Sequence, residues 1–140
     1  MTAAVLAVFC LHWPAALPGQ IDRAAHAAGV PSVLLAATVG AESTCDNRKT
    51  SRVGAIGLGQ ILPGGSAAKG HSARQLHRKR LNLQLSAEHL RKGLRLCGGN
   101  WAQAVSFYAG AWPCTAGPWG LRVAGAAETE LMKHNQGDRS

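Results

Sequence analysis

The chain has 140 residues, of which 46% are apolar, so it is long enough for one domain with a hydrophobic core. No apolar run approaches the roughly 18–20 residues of a membrane span, which argues against a transmembrane helix. The net charge of +8 and the pI of about 10.1 make nucleic acid, an anionic membrane surface and an anionic cell-wall polymer candidate partners, although a solvated basic surface explains the charge equally well.

The first 19 residues form an apolar segment with two interpretations. They contain a short apolar core and small residues near Ala15 and Ala16, as a signal peptide does, but no Lys or Arg precedes that core. Cleavage near Ala16 would also remove Cys10 and leave an odd three cysteines. A packed first helix is therefore slightly favoured over a cleaved signal.

The next residues predict two helices and two loops, because strand formers are scarce and Ala and Leu are plentiful. Residues 20–28 read as a short helix that Gly29 ends. Pro31 suits the first position of a second helix, which runs through SVLLAATVGAE. Residues 43–56 form a polar loop, and GLGQILPGG then predicts a turn-rich segment around a short helix.

The second half of the chain predicts a basic exposed stretch, two helices and a tail. Residues 66–80 are the basic stretch, and residues 81–97 form an amphipathic helix that Gly98 and Gly99 end. Asn100 caps a helix over WAQAVSFYAGAW, which Pro113 ends. Residues 128–140 read as a frayed polar tail. We therefore predict one domain over residues 20–127, between the apolar segment 1–19 and the tail.

Glu42 is a carboxylate in an unusual place, at the end of the apolar second helix. The C-terminal end of a helix carries partial negative charge, and the residues that lead to Glu42 are small and apolar, so both effects raise its pKa. A carboxylic acid with a raised pKa can donate a proton to a leaving oxygen at neutral pH. On position alone, a glutamate that simply faces solvent is at least as good an interpretation.

Four sequence motifs favour the interpretation of Glu42 as a catalytic acid over that of a solvent-facing glutamate. VPSVLLAATVGAES (residues 30–43) resembles the helix that carries the catalytic glutamate in the lysozyme-like soluble lytic transglycosylases. VGAIGLGQILPG (residues 53–64) resembles the Gly-Leu-x-Gln motif of that family, LNLQLSAEHL (81–90) its third motif, and GGNWAQAVSFYAGAW (98–112) the helix with a Tyr. The four motifs occur in the family's order and spacing over residues 20–112.

The resemblance implies a mainly α, single-domain, lysozyme-like fold of the goose-type or transglycosylase kind, and a role for each matching residue. Glu42 corresponds to the sole catalytic acid and base, and Asn82 to a structural Asn at a helix start. Gln60 would bond an N-acetyl or hydroxyl group of the glycan, whereas Trp112 and Trp119 suit either sugar stacking or the core. We assign substrate binding to Ser43, Gly57, Leu58, Gln60, Tyr108 and Trp112.

The chain departs from the family's pattern at three positions. Ala109 replaces the usual Asn after the Tyr, which removes a sugar contact that this Asn could make. Ser86 stands where the family has Gly, and His89 where it has Tyr. We interpret these last two as packing substitutions.

The number of carboxylates bears on the mechanism. Most glycosidases use two carboxylates, but among the seven acidic residues only Asp46 is close to Glu42 in sequence. A lytic transglycosylase needs a single acid/base, so we predict cleavage between N-acetylmuramic acid and N-acetylglucosamine with 1,6-anhydromuramic ends. The alternatives are a hydrolytic muramidase that uses Glu42 with Asp46, and a non-catalytic glycan-binding or nucleic-acid-binding module.

Four cysteines allow two disulfides, with three connectivities, or none in a reducing compartment. The family fold brings the end of the Tyr108 helix near Glu42, which favours Cys45 with Cys114. No cofactor and no metal site are expected, because no CxxC pair or zinc-type spacing occurs.

The expected partner of this monomer is the peptidoglycan glycan strand rather than nucleic acid. The expected site of action is the cell envelope or periplasm, or a phage particle or lysis system; secretion, conjugation and phage machines are equally compatible.

Overall fold

Helices make up most of the computed structural model, which describes residue 6, residues 8–10 and residues 14–137. This part of the chain contains six α helices and no strand, which confirms the predicted mainly α fold. The helices are α1 Leu17–Ala28, α2 Ser32–Ser43, α3 Ala73–Leu76, α4 Lys79–Leu96, α5 Trp101–Tyr108 and α6 Pro118–Gly137, with a 3₁₀ turn over Ser66–Ala68.

Helix α2 lies at the centre of the fold. Nine of its twelve residues are buried, because it packs against α1 and α6 and also contacts α4. Leu34 and Leu35 are among the largest fully buried side chains. A helix that is apolar on nearly every side has to be enclosed by other elements, so the residues at its end are held in place by the whole core.

The amphipathic helix α4 follows its sequence prediction closely. Leu83, Leu90 and Leu94 are buried along its predicted stripe. The helix ends at Leu96, where Gly98 takes a left-handed φ of 59° and the Gly99 N–H bonds the Leu94 carbonyl oxygen. This six-to-one bond is the usual way in which a glycine ends a helix.

Helix α5 is shorter than predicted, because it ends at Tyr108 rather than near Trp112. Gly110 takes a φ of 96°, and the Ala111 N–H bonds the Ser106 carbonyl oxygen, so the chain turns before Pro113 is reached. The Ser106 hydroxyl then accepts the Gly117 N–H at 3.0 Å, which folds the following loop back onto α5.

Two isolated antiparallel β-bridges replace the short helix that was predicted within GLGQILPGG. Ile56 pairs with Thr50 on one side and with Ile61 on the other. The segment between Ile56 and Ile61 is a tight turn, with left-handed φ values of 75° at Gly57 and 52° at Gln60. A helix cannot pass through two such residues.

The predictions for the two ends of the chain were a polar tail at the C-terminal end and an apolar segment at the N-terminal end. The predicted frayed tail, residues 128–140, is wrong up to Gly137, because α6 continues to that residue. Much of the apolar segment 1–19 lies outside the described residues, but Leu6 and Cys10 are buried. Phe9 packs so closely on α2 that a Cβ at Gly40 would lie 2.6 Å from its carbonyl oxygen.

The predicted disulfide between Cys45 and Cys114 is wrong. The structure pairs Cys10 with Cys45, with 5.7 Å between Cα atoms, and Cys97 with Cys114, with 5.2 Å. The prediction failed because it placed a helix of about a dozen residues between Cys97 and Cys114. The early end of α5 lets the chain return, and Cys114 Sγ comes 3.3 Å from the carbonyl oxygen of Leu96, next to Cys97.

Candidate active site

Glu42 is the next-to-last residue of α2, and its side chain is half-buried. Burial raises the pKa of Glu42 from 4.5 to about 7, while the nearby positive charge of Lys49 lowers it. The two effects oppose each other, and burial is the larger. Glu42 is therefore a carboxyl group that exchanges its proton near neutral pH.

Ser43 lies directly after Glu42 but points away from solvent. Its side chain is fully buried, and its hydroxyl donates to the Val39 carbonyl oxygen at 3.1 Å. The hydroxyl group therefore supports the helix end, and the assignment of Ser43 to substrate binding stays a prediction. Thr44 and Cys45 then take left-handed φ values of 50° and 62°, which turn the chain sharply away from Glu42.

The turn over residues 57–60 is held from behind by Asn82, a fully buried residue of α4. The Asn82 Oδ1 accepts the Gly59 N–H at 2.8 Å, and its Nδ2 donates to the carbonyl oxygens of Ile56 and Leu76, both at 2.9 Å. Each polar atom of the side chain is thus satisfied by backbone. This agrees with the structural role expected for Asn82.

The Leu58 side chain and the Cβ position of Gly57 face the inside of the turn. Leu58 is fully buried, and a Cβ at Gly57 would lie 2.6 Å from Asn82 Nδ2 and 2.8 Å from Asn47 Oδ1. Leu58 therefore anchors the turn in the core, and Gly57 leaves room for the two Asn side chains. The assignment of both residues to substrate binding stays a prediction.

Tyr108, the last residue of α5, contacts the same turn from the other side. It is 8% exposed, and its hydroxyl donates to the Gly59 carbonyl oxygen at 2.6 Å. Burial raises the pKa of Tyr108, and the nearby Glu42 carboxylate raises it further, so the phenol stays protonated and remains a donor. The contact between Tyr108 and the turn joins residues 49 positions apart in sequence.

Gln60 is linked to Glu42 through Lys49. The Gln60 Nε2 donates to the carbonyl oxygens of Gly57 at 2.9 Å and Lys49 at 3.2 Å. The Lys49 Nζ in turn donates to the Glu42 carbonyl oxygen at 3.0 Å. The structure therefore connects the predicted motifs around Glu42, Gln60 and Tyr108 through short hydrogen bonds.

Trp112 and Trp119 differ clearly in their exposure to solvent. Trp112 is 82% exposed, whereas Trp119 is partly buried and packs against the core. Only Trp112 therefore presents a free aromatic face of the kind that stacks on sugars.

Asp46, the nearest acidic residue to Glu42 in sequence, forms hydrogen bonds with Arg48. Its Oδ1 accepts the backbone N–H and the Nε of Arg48, at 2.9 and 3.0 Å, and its Oδ2 accepts the Nη2 at 3.2 Å. These hydrogen bonds hold the pKa of Asp46 below its usual value. A carboxylate in this state is a poor proton acceptor at neutral pH.

Sequence reasoning did not single out Lys49 and Asn47. Asn47 Nδ2 donates to the His77 carbonyl oxygen at 2.8 Å, and its Oδ1 accepts the Leu58 N–H at 3.3 Å. Both residues sit in a polar loop that looks solvated in sequence, and their partners lie on other segments. No local pattern distinguishes them from loop residues that face only water.

Two cavities of the fold are lined by residues other than Glu42, Gln60 and Tyr108. One of about 780 Å³ borders the loop after Glu42, and another of about 490 Å³ lies between α1 and α4. Within the described residues, no group of three or more His, Cys, Asp or Glu side chains could hold a metal ion.

The helical fold, with one half-buried glutamate at the end of its central helix, is that of the lysozyme-like proteins. The family model described as the Transglycosylase SLT domain matches residues 19–116, and the chain belongs to this family. Membership indicates a transglycosylase-type enzyme whose substrate is peptidoglycan. No curated protein sequence matches the chain significantly. In the part of the chain that the structure describes, no helix has the length and apolar character of a membrane span.

Proposed function

We propose that this protein is a peptidoglycan lytic transglycosylase in which Glu42 acts alone, first as acid and then as base. The observation that carries the proposal is the half-buried position of Glu42 at the end of α2, where burial raises its pKa to about 7. At that value both the protonated and the ionised form are populated at neutral pH. A single residue that has to give a proton and then take one works best under this condition.

The reaction follows from these two protonation states. Protonated Glu42 donates its proton to the glycosidic oxygen, and the bond between that oxygen and the anomeric carbon of N-acetylmuramic acid breaks. The substrate's own acetamido group stabilises the cation that develops. The Glu42 carboxylate then takes the proton of the C6 hydroxyl, whose oxygen bonds the anomeric carbon. The product has a 1,6-anhydro ring, and no water is consumed.

The state of Asp46 supports this reaction over hydrolysis. A two-carboxylate mechanism needs a second group that can accept a proton or attack the sugar. Asp46 is bound by three hydrogen bonds from Arg48, which favour its ionised, paired form. The muramidase alternative would instead use the Asp46 carboxylate on water or on the sugar.

The substrate-facing groups form a smaller set than the sequence assigned. Gln60 Oε1 makes no hydrogen bond within the described residues, so it is open to a sugar hydroxyl or N–H donor. Trp112 offers an exposed ring for stacking. Tyr108 acts through the turn, because its hydroxyl is used by Gly59. The glycan strand would lie across these groups in the cell envelope, where peptidoglycan is found.

Mass spectrometry of the muropeptides released from purified peptidoglycan tests the proposal. The expected main products carry anhydromuramic ends, and Glu42→Gln releases none of them. Products with reducing muramic acid, heavier by one water, would instead identify the muramidase. Binding without release by the wild-type protein would indicate a non-catalytic module.

A further inference from the structure

Gly59 is the residue on which two helices converge. Asn82 of α4 accepts its N–H at 2.8 Å, and Tyr108 of α5 donates to its carbonyl oxygen at 2.6 Å. Both polar groups of this one residue are therefore held by side chains, and no strand or helix bond is involved. The position of the turn depends on how firmly these two side chains are fixed.

Ser86 lies where the two side chains meet. It is fully buried on α4, and its Oγ is 2.7 Å from the Asn82 carbonyl oxygen and 3.5 Å from Asn82 Oδ1. A Cβ at Gly59 would overlap Ser86 Oγ and lie 2.6 Å from the Tyr108 hydroxyl oxygen. Both hydroxyl groups therefore press against the same face of Gly59, and the available space is filled.

We propose that Ser86 is a positioning residue of the active site, whose hydroxyl fixes Asn82 and Tyr108 against Gly59. Ser86 has a single proton, which its Oγ donates to the Asn82 carbonyl oxygen at 2.7 Å or, when the hydroxyl rotates, to the Tyr108 oxygen, whose own proton goes to Gly59. A phenol that accepts a bond is a stronger donor, because linked hydrogen bonds polarise one another. Hydrogen bonding by Ser86 also acts on the pKa of Tyr108, lowering it against the larger rise that burial causes.

The effect reaches Glu42 through the turn. Gly59 precedes Gln60, whose Nε2 holds the Lys49 carbonyl oxygen at 3.2 Å, and Lys49 Nζ holds the Glu42 carbonyl oxygen at 3.0 Å. A turn that is less firmly held would loosen these bonds and the alignment of Glu42. Because Ser86 is buried, it acts on the reaction through these groups. This inference replaces the earlier interpretation of Ser86 as a packing substitution.

The test compares Ser86→Ala with Ser106→Ala in the full-length protein. Ser106 is a matched control: it is also a buried helical Ser that donates to the carbonyl four residues earlier, Ala102, at 2.8 Å. Ser86→Ala is expected to lower kcat about 3- to 10-fold with little change in KM. Ser106→Ala should lower the melting temperature without this loss of kcat. An unchanged kcat in Ser86→Ala would overturn the proposal.

A double-mutant cycle with Tyr108→Phe asks whether the two hydroxyls act together. The double variant should lose little more kcat than the more affected single variant, because both changes loosen the same turn. Losses that multiply would show that Ser86 acts independently of Tyr108, contrary to the proposal.

The inference rests on the proposed function, so a second measurement keeps the two apart. Amide hydrogen exchange at Gly59 requires no activity, and it should become about 10-fold faster in Ser86→Ala but not in Ser106→Ala. If the wild-type protein released no muropeptides, the proposed function would fail. The exchange rate at Gly59 would still show whether Ser86 helps to hold the turn. Unchanged hydrogen exchange at Gly59 would overturn the role of Ser86, even if the enzyme is active. If Ser86→Ala folds poorly, the same measurement is made on Ser86→Gly.

Discussion

The Lys49 ammonium donates a hydrogen bond to the backbone carbonyl oxygen of Glu42, with 3.0 Å between the two atoms. The bond satisfies one of the carbonyls that the end of α2 leaves unpaired, and it places a positive charge beside the carboxyl group. That charge lowers the pKa of Glu42, while burial raises it more strongly. Lys49 thus limits how far the pKa of Glu42 can rise.

Lys49→Met is therefore expected to raise the pKa of Glu42 above about 7. Because the first step needs protonated Glu42, kcat/KM falls as pH rises through this pKa, and the fall should begin at a higher pH in the variant. Profiles of kcat/KM between about pH 5 and 9 measure the change. Lys133→Met is the control, since Lys133 pairs with Glu130 on α6. A fall that stays in place or moves to lower pH would contradict the role of Lys49.

Glu42→Gln should change the pH dependence of stability as well as abolish cleavage. In the wild-type protein the pKa of Glu42 rises from 4.5 to about 7 on folding, so the folded state binds this proton more tightly than the unfolded chain. The resulting stabilisation is complete below the lower value and is lost as pH rises through the higher one. The Gln variant lacks this loss.

The free energy of unfolding of Glu42→Gln, relative to wild type, should therefore increase by about 1–3 kcal/mol between acidic and mildly alkaline pH. Urea unfolding at both ends of that range measures it. Glu128→Gln provides the control, because Glu128 is exposed on α6. A constant difference across the range would mean that Glu42 has the same pKa in the folded protein and in the unfolded chain.

Asp46→Asn is expected to leave the enzyme active. Asn keeps an acceptor for the Arg48 N–H but loses the charge that pairs with the guanidinium. Exposed ion pairs of this kind contribute little, so kcat should fall less than about threefold. The products should still carry anhydromuramic ends. An inactive Asp46→Asn, together with reducing-end products from the wild type, would contradict the single-residue mechanism and indicate that Glu42 and Asp46 act as a pair.

The disulfide pairing is directly testable in oxidised protein. Non-reducing peptide mapping should recover Cys10 with Cys45 and Cys97 with Cys114. Replacing both Cys97 and Cys114 by Ser should lower the free energy of unfolding by about 3 kcal/mol, as for other loops of this length. The sequence separation of that pair is 17 residues. A recovered peptide that joins Cys45 to Cys114 would contradict the structure.

Local patterns in the sequence were sufficient for α1, α2 and α4 and for the position of Glu42, but they did not predict α3 or α6. The stripe on α4 and the apolar run before Glu42 each reflect a periodicity that burial imposes. The end of α5 was misplaced because Pro113 seemed the stronger stop signal. In the structure Gly110, with a φ of 96°, ends the helix first, and the same shift explains the wrong cysteine pairing.

The contacts that assemble the site could not be predicted from local patterns. Gly59 bonds Asn82, 23 residues away, and Tyr108, 49 residues away. Such distances in sequence are bridged only by the packing of α4 and α5. The family motifs indicated that Gln60 and Tyr108 belong to one site, but they also assigned Ser43 and Leu58 to the substrate, and both are fully buried.

The link between Cys10 and Cys45 offers a route to a fluorescent reporter. Cys45 is 5% exposed and lies three residues after Glu42. A Cys10→Ser variant leaves Cys45 as an unpaired thiol, while Cys97 and Cys114 remain joined. A thiol-reactive dye attached at this position would report directly on the arrival of a glycan strand beside Glu42.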